Sequence, residues 1–217
     1  MATHLDLEEQ EQLDQIKAFW KQYGNLITWA LIAALGTFAA WNGWNWWQRE
    51  QAVGASGMFD GLEKAVESGD VTTAGRIAGD LKSRYPRTLY AHQGALLAAR
   101  LQHEKGQSDA AREALAWVAE KAPDPEYRTL AHLRLSGVLF DQKKYDEALK
   151  QLDGASAKGF EGLVADRRGD ILAAQNKPAE AKAAYNQAWK SLDSKLGYRR
   201  LVEAKLNALG AAPETAQ

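Results

Sequence analysis

The sequence contains no cysteine. Disulfides and thiol chemistry are therefore excluded, although a cysteine-free chain is stable in either redox compartment. There is no basic excess either: 27 Lys and Arg stand against 28 Asp and Glu, for a formal net charge of -1. Such a balance lacks the basic footprint of a nucleic-acid-binding surface. Val, Ile and Thr are sparse after position 50, whereas Ala and Leu abound, which favours helix over sheet. Catalytic signatures are missing too: no H-E-x-x-H, G-x-S-x-G or G-x-x-x-x-G-K run occurs. The four His build no obvious metal site. His4 lies in the lead, and His132 reads as a packed core residue. His92 and His103 share a helix face but sit roughly 16 Å apart along it, too far for one ion with ligands at about 2 Å. Asp166 and Asp170 form an i,i+4 carboxylate pair beside Arg167 and Arg168, which reads as a solvated or ligand-facing charged surface rather than a catalytic pair.

Charge is also absent from one stretch altogether. Nothing between Lys21 and Arg49 is ionisable at neutral pH, and Leu26 to Trp41 is apolar except for Thr28, Gly36 and Thr37. Unpaired backbone groups in lipid cost several kcal/mol, so a lone apolar segment enters a membrane as a helix. At about 1.5 Å per residue, Leu26–Trp47 reaches about 33 Å, enough for a hydrocarbon core of about 30 Å. Trp20 and Trp29 mark one end, and Trp41, Trp44, Trp46 and Trp47 the other. Indole rings favour the headgroup boundary, where the ring is half buried and the N–H stays wet. The expectation is one transmembrane helix over 23–48, in contact with the lipid bilayer. A small-residue face of Ala33, Gly36, Ala40 and Gly43 offers packing to another membrane helix. Residues 1–22 form a short acidic amphipathic lead unlike the basic start of a secretory signal, so the span reads as an uncleaved anchor. Lys17 and Lys21 precede the span and only Arg49 follows closely, which leans toward a cytoplasmic N-terminus without settling it.

Residues 49–57 are polar and Gly-containing and read as a linker. A period then appears. GDVTTAGRIAGDLKSRYP (69–86), GQSDAAREALAWVAEKAP (106–123), KKYDEALKQLDGASAKGF (143–160) and NKPAEAKAAYNQAWKSLD (176–193) align on Ala74, Ala111, Ala148 and Ala181, spaced 37, 37 and 33. Pro86 and Pro123 fall just after the second helix of their units, where proline ends the hydrogen-bond ladder. This pattern resembles the tetratricopeptide repeat, a helix–turn–helix unit of 34 residues. Its physics fits: two antiparallel helices need small residues where they cross, supplied by the aligned Ala and by Gly169, and units must stack to bury both faces. The large aromatic usual early in the first helix is absent, with Ala95, His132 and Ala165 in its place. An unrelated helical bundle is the competing reading. About four helix pairs are expected over 58–210, with 197–210 as a capping helix and 211–217 as a tail. The fold class is thus all-α: a membrane helix followed by a repeat solenoid.

The first helices of the units line the inner face of such a solenoid. In repeat register they present Gln93, Arg100 and His103, then Leu130, Leu133, Phe140 and Asp141, then Leu163, Asp166 and Asp170, as a candidate protein-binding face. Plain core is the competing reading for Leu130, Leu133 and Leu163. Apolar pockets supply affinity for an extended peptide, and polar rims supply register. No cofactor is expected.

Several segments together resemble a known family. EQEQLDQIKAFWKQYG (9–24), WNWWQ (44–48), LAHLRL (130–135), LVADRRGDIL (163–172) and YRRLVEAKLNAL (198–209) are similar to the ancillary SecYEG translocon subunits, the YfgM-like proteins. The resemblance runs through nearly the whole chain, and VADRRGD (164–170) is its most specific piece. It implies a bacterial inner-membrane protein with a cytoplasmic N-terminus and a periplasmic repeat domain. It implies partners in the SecYEG translocon, a PpiD-like membrane-anchored chaperone and emerging secreted polypeptides. It brings no catalytic motif. A membrane-anchored scaffold for envelope, outer-membrane or cell-division assembly is the alternative that the residues alone allow.

Overall fold

The computed structural model describes residues 7–195 and 197–213. His4, the start of the lead (1–6) and the end of the tail (214–217) lie outside the described residues. Within the described residues the chain is all-α, as expected, in nine helices: α1 (Leu7–Glu67), α2 (Val71–Arg84), α3 (Leu89–Glu104), α4 (Ser108–Lys121), α5 (Pro125–Asp141), α6 (Tyr145–Leu152), α7 (Glu161–Ala174), α8 (Pro178–Ser191) and α9 (Tyr198–Ala208). Two compact units divide it, Met1–Gln51 and Ala52–Gln217.

In the first unit the apolar part of α1 is exposed among the described residues. Leu35, Phe38 and Trp41 are each about two-thirds exposed. The side chains that do meet lie within the helix, Phe19 against Tyr23 and Trp44 against Trp47. The polar groups of Thr28, Thr37 and Asn42 bond back to the carbonyls of Gly24, Ala33 and Phe38. These three side chains thus satisfy their polarity inside the helix, as an apolar solvent favours. Among the described residues α1 is the one helix long and apolar enough to cross a membrane.

The second unit is the repeat array. The last turns of α1 pair with α2, then α3 with α4, α5 with α6, and α7 with α8. The repeat spacing of 37, 37 and 33 residues is written into the backbone at the turn within each pair. Gly69, Gly106, Lys143 and Asn176 each take left-handed φ, between 60° and 78°. The residue after each donates its N–H five positions back, from Asp70 to Ala65, Gln107 to Gln102, Lys144 to Leu139 and Lys177 to Leu172. This closure satisfies carbonyls that the helix end would otherwise leave orphaned. Ala74, Ala111, Ala148 and Ala181 are wholly buried where the second helix crosses the first. Twelve residues earlier sit Ala99, Ser136 and Gly169, all buried. A Cβ on Gly169 would run into the ring of Tyr185. In the first pair this place is held by Leu62, and Gly94 on α3 makes room for it: a Cβ there would lie 2.9 Å from the leucine. Leu135, Leu139 and Leu152 fill the central core, flanked by Tyr145 and Leu149. Leu172 and Tyr185 belong to the last core, where Val202 and Leu206 of α9 are wholly buried, so α9 caps the array.

One boundary differs from expectation. Residues 49–57 are helical throughout, as part of α1. Gly54 is the reason it packs rather than hinges. A Cβ at that position would meet the Tyr85 hydroxyl at 2.5 Å, and Ala55 beside it is wholly buried. The glycine here permits close approach, not a bend.

Candidate protein-binding face

The last turns of α1, α3 and α5 lie side by side and enclose a shallow groove of about 280 Å³. Phe59 and Glu63 come from α1, Gln93, Leu96, Leu97 and Arg100 from α3, and Tyr127, Leu130 and Arg134 from α5. Spacings of three, four and seven put each set on one helix face. Polar contacts fix the walls. The Gln93 amide donates to the Tyr127 hydroxyl at 2.6 Å, and the Arg134 guanidinium donates to the Leu96 carbonyl at 3.2 Å. Phe59 packs on Tyr90 with ring centroids 5.5 Å apart. Desolvation lowers the Arg134 pKa, and the nearby positive charge of Arg100 adds to the effect. The residue as a whole is exposed, so this desolvation belongs to its inner edge, packed toward the Leu96 carbonyl.

Of the residues expected on this face, Gln93 and Arg100 line the groove. His103 and Asp141 come together at one end of it, Nε2 to Oδ2 at 2.8 Å, linking the last turns of α3 and α5. Leu133 and Phe140 are half-buried against the central core, with Phe140 on the Tyr145 ring. Leu130, and not Leu133, faces the groove. Leu163 packs on the last core.

Asp166 and Asp170 require a correction: they are not an open charged surface. Asp166 is 2% exposed. The Lys205 ammonium of α9 reaches both its oxygens at 2.8 Å and Asp170 at 2.7 Å. Tyr198 donates to Asp166 and Tyr185 to Asp170. Burial first, and then these carboxylates, push the pKa of both phenols up. The pair fastens the cap helix and is closed to a partner. The remaining His also have local duties. His92 is buried, stacked at 5.1 Å on Trp117, and kept toward its neutral form by desolvation. His132 pairs with Gln151 at 3.2 Å. Among the described residues no three of His, Asp and Glu gather as metal ligands.

Phe59, Glu63, Leu96, Leu97, Tyr127 and Arg134 were missed as groove residues, although the period points to them. Adding 37 to Phe59, Glu63, Gln93 and Leu97 gives Leu96, Arg100, Leu130 and Arg134.

Stacked helix pairs with a lined inner face, following one exposed apolar helix, define the class: a helical-repeat protein with one helix long and apolar enough for a membrane. Residues 17–211 match the tetratricopeptide repeat-like domain family. The chain is 34% identical to a Neisseria gonorrhoeae protein over 96% of its own length and all of the relative's. It is 30% identical to a Haemophilus influenzae protein over 94% and 98% of the two chains, and 27% identical to one from Escherichia coli over 93% and 96%. All three are named ancillary SecYEG translocon subunit. The chain belongs to this family of ancillary translocon subunits with a tetratricopeptide repeat-like domain.

Proposed function

We propose that the chain is a non-enzymatic, single-pass accessory subunit of the SecYEG translocon. In this reading the N-terminus is cytoplasmic, the tryptophans from Trp20 to Trp47 anchor the span at the two interfaces, and the repeat domain is periplasmic. The groove across α1, α3 and α5 holds a partner: a translocon subunit, a PpiD-like membrane-anchored chaperone, or an emerging secreted chain. The observation that carries the reading is the groove itself, with apolar walls and hydrogen-bonded rims, on a chain similar along nearly its full length to proteins named for the translocon. Membrane confinement raises the domain's effective concentration near a membrane partner, so weak groove contacts suffice.

The absence of cysteine makes topology directly testable. Glu11→Cys and Ser83→Cys each introduce the chain's single thiol at an exposed position. In intact cells stripped of their outer membrane, a membrane-impermeant maleimide is expected to label the second and spare the first. The reverse pattern would put the repeat domain in the cytoplasm. For the translocon itself, mild-detergent purification of the full chain is expected to retain SecYEG subunits. Recovery of only envelope-assembly proteins would favour the scaffold reading.

A further inference from the structure

The groove's charge is unusual for a chain whose net charge is -1. Arg100 and Arg134 both line it, close enough for one guanidinium to disfavour the charge of the other. Arg167 of α7 holds the register of Arg134 one unit on, and its guanidinium lies over Gly137, 3.9 Å from where a Cβ would stand. Among the described residues Arg134 and Arg167 form no ion pair with a carboxylate. Arg134 spends one donor on a carbonyl, and Arg100 meets Glu104 at only 3.6 Å with both side chains more than half exposed. Such an exposed pair contributes little. Glu63 is the one acid among the groove residues. Like charges gathered over an apolar floor of Phe59, Leu97 and Leu130 repel one another until an anion sits between them. A guanidinium with free donors recognises a carboxylate in planar, two-pronged fashion.

Resting on the groove reading above, we infer that this face takes an extended segment of a partner protein whose acidic side chain sits between Arg100 and Arg134, with apolar neighbours on Phe59, Leu97 and Leu130. The inner helices continue on either side of this point, so a chain running across them presents an internal side chain here rather than its end.

The test uses the full chain in mild detergent and a fluorescein-labelled peptide, Ser-Gly-Val-Leu-Glu-Val-Leu-Gly-Ser, blocked at both ends so that glutamate is its only ionised side chain, the dye's charge being common to every peptide compared. Fluorescence anisotropy is expected to show binding that weakens about tenfold when glutamine replaces the glutamate, the loss of one charge-assisted pair. Arg100→Gln and Arg134→Gln should each erase most of that preference, read as the ratio of the glutamate peptide's affinity to the glutamine peptide's. Arg134→Lys, which keeps the charge and supports the same packing, should retain part of it. Added salt should weaken the glutamate peptide selectively. Equal binding of the two peptides, abolished by Leu97→Asp, would overturn the acidic assignment while leaving the groove in use. Binding that Leu97→Asp does not touch, or no binding of either peptide, would overturn it together with the groove reading.

Discussion

Removing the Lys205 ammonium is the sharpest test of how the repeat array is closed. Its nitrogen lies 2.8 Å from both oxygens of Asp166 and 2.7 Å from Asp170, and only 22% of the lysine side chain is exposed. In Lys205→Met the methylene stem is nearly preserved, so packing beside the wholly buried Val202 and Leu206 is little changed. The charge is not preserved. Two carboxylates one helical turn apart, one of them 2% exposed, are left with neutral donors only, from Tyr185 and Tyr198. Breaking a buried pair by removing one partner costs about 3–5 kcal/mol. A domain holds about 5–15 kcal/mol in total. At about 2–4 °C per kcal/mol for a chain this long, the melting temperature should fall by roughly 6–20 °C. The assay is far-ultraviolet circular dichroism on heating at pH 7. Repeat arrays lose cooperativity at their ends, so hydrogen exchange along α9 is measured beside it. Exchange in α9 should accelerate before that in α3 or α5. Adding Asp166→Asn to Lys205→Met should recover part of the loss, because the uncompensated buried charge is then gone. A melt within about 1 kcal/mol of the parent and unchanged α9 exchange would refute the latch.

Three further outcomes follow from particular contacts. Gly169→Leu drives a side chain into the Tyr185 ring and should unfold the last pair, and Gly169→Ala should cost about 1–3 kcal/mol by urea titration; parental stability in both would show that the assigned crossing is wrong. Lys143 holds φ at 60°, so Lys143→Gly should stabilise by about 0.5–1 kcal/mol, whereas the same change at exposed Lys144 next to it should not. The raised phenol pKa values give alkaline sensitivity: both phenols stay protonated in the folded chain above pH 10, while the unfolded chain ionises. Stability is therefore full below about pH 10 and falls as pH rises beyond it, by at most about 1.4 kcal/mol per pH unit for buried Tyr185 and by less for the more exposed Tyr198. Urea midpoints at pH 9 and pH 11 measure this, and Tyr185→Phe should flatten the slope.

The repeat fold was legible because its period is fixed by backbone chemistry. Ala at each crossing and a left-handed residue at each turn recur at the same spacing, so a reader of the sequence sees the structural unit directly. The side of each inner helix was less legible. Leu130 and Leu133 were both expected on the inner face; three residues apart, they sit about 60° apart around the helix, so Leu130 lines the groove while Leu133 packs on the central core. Asp166 and Asp170 were misread for another reason. Beside Arg167 and Arg168 they look solvated, and their true partner, Lys205, lies on a helix that becomes their neighbour only when α9 caps the array. The segment 49–57 was misread because Gly in a polar run signals a turn. Nothing local in the sequence announces that Gly54 gives its space to Tyr85, thirty-one residues on.

The central claim is that the inner groove meets translocon-associated protein. A photoreactive residue placed in living cells at Leu97 and at Leu130 reports on it directly, with exposed Ala116 of α4 as the control on another face. The account predicts adducts from the two groove positions to SecYEG subunits, a PpiD-like chaperone or secreted chains, and none of these from Ala116. Adducts from Ala116 alone, or groove adducts confined to envelope-assembly proteins, would contradict it.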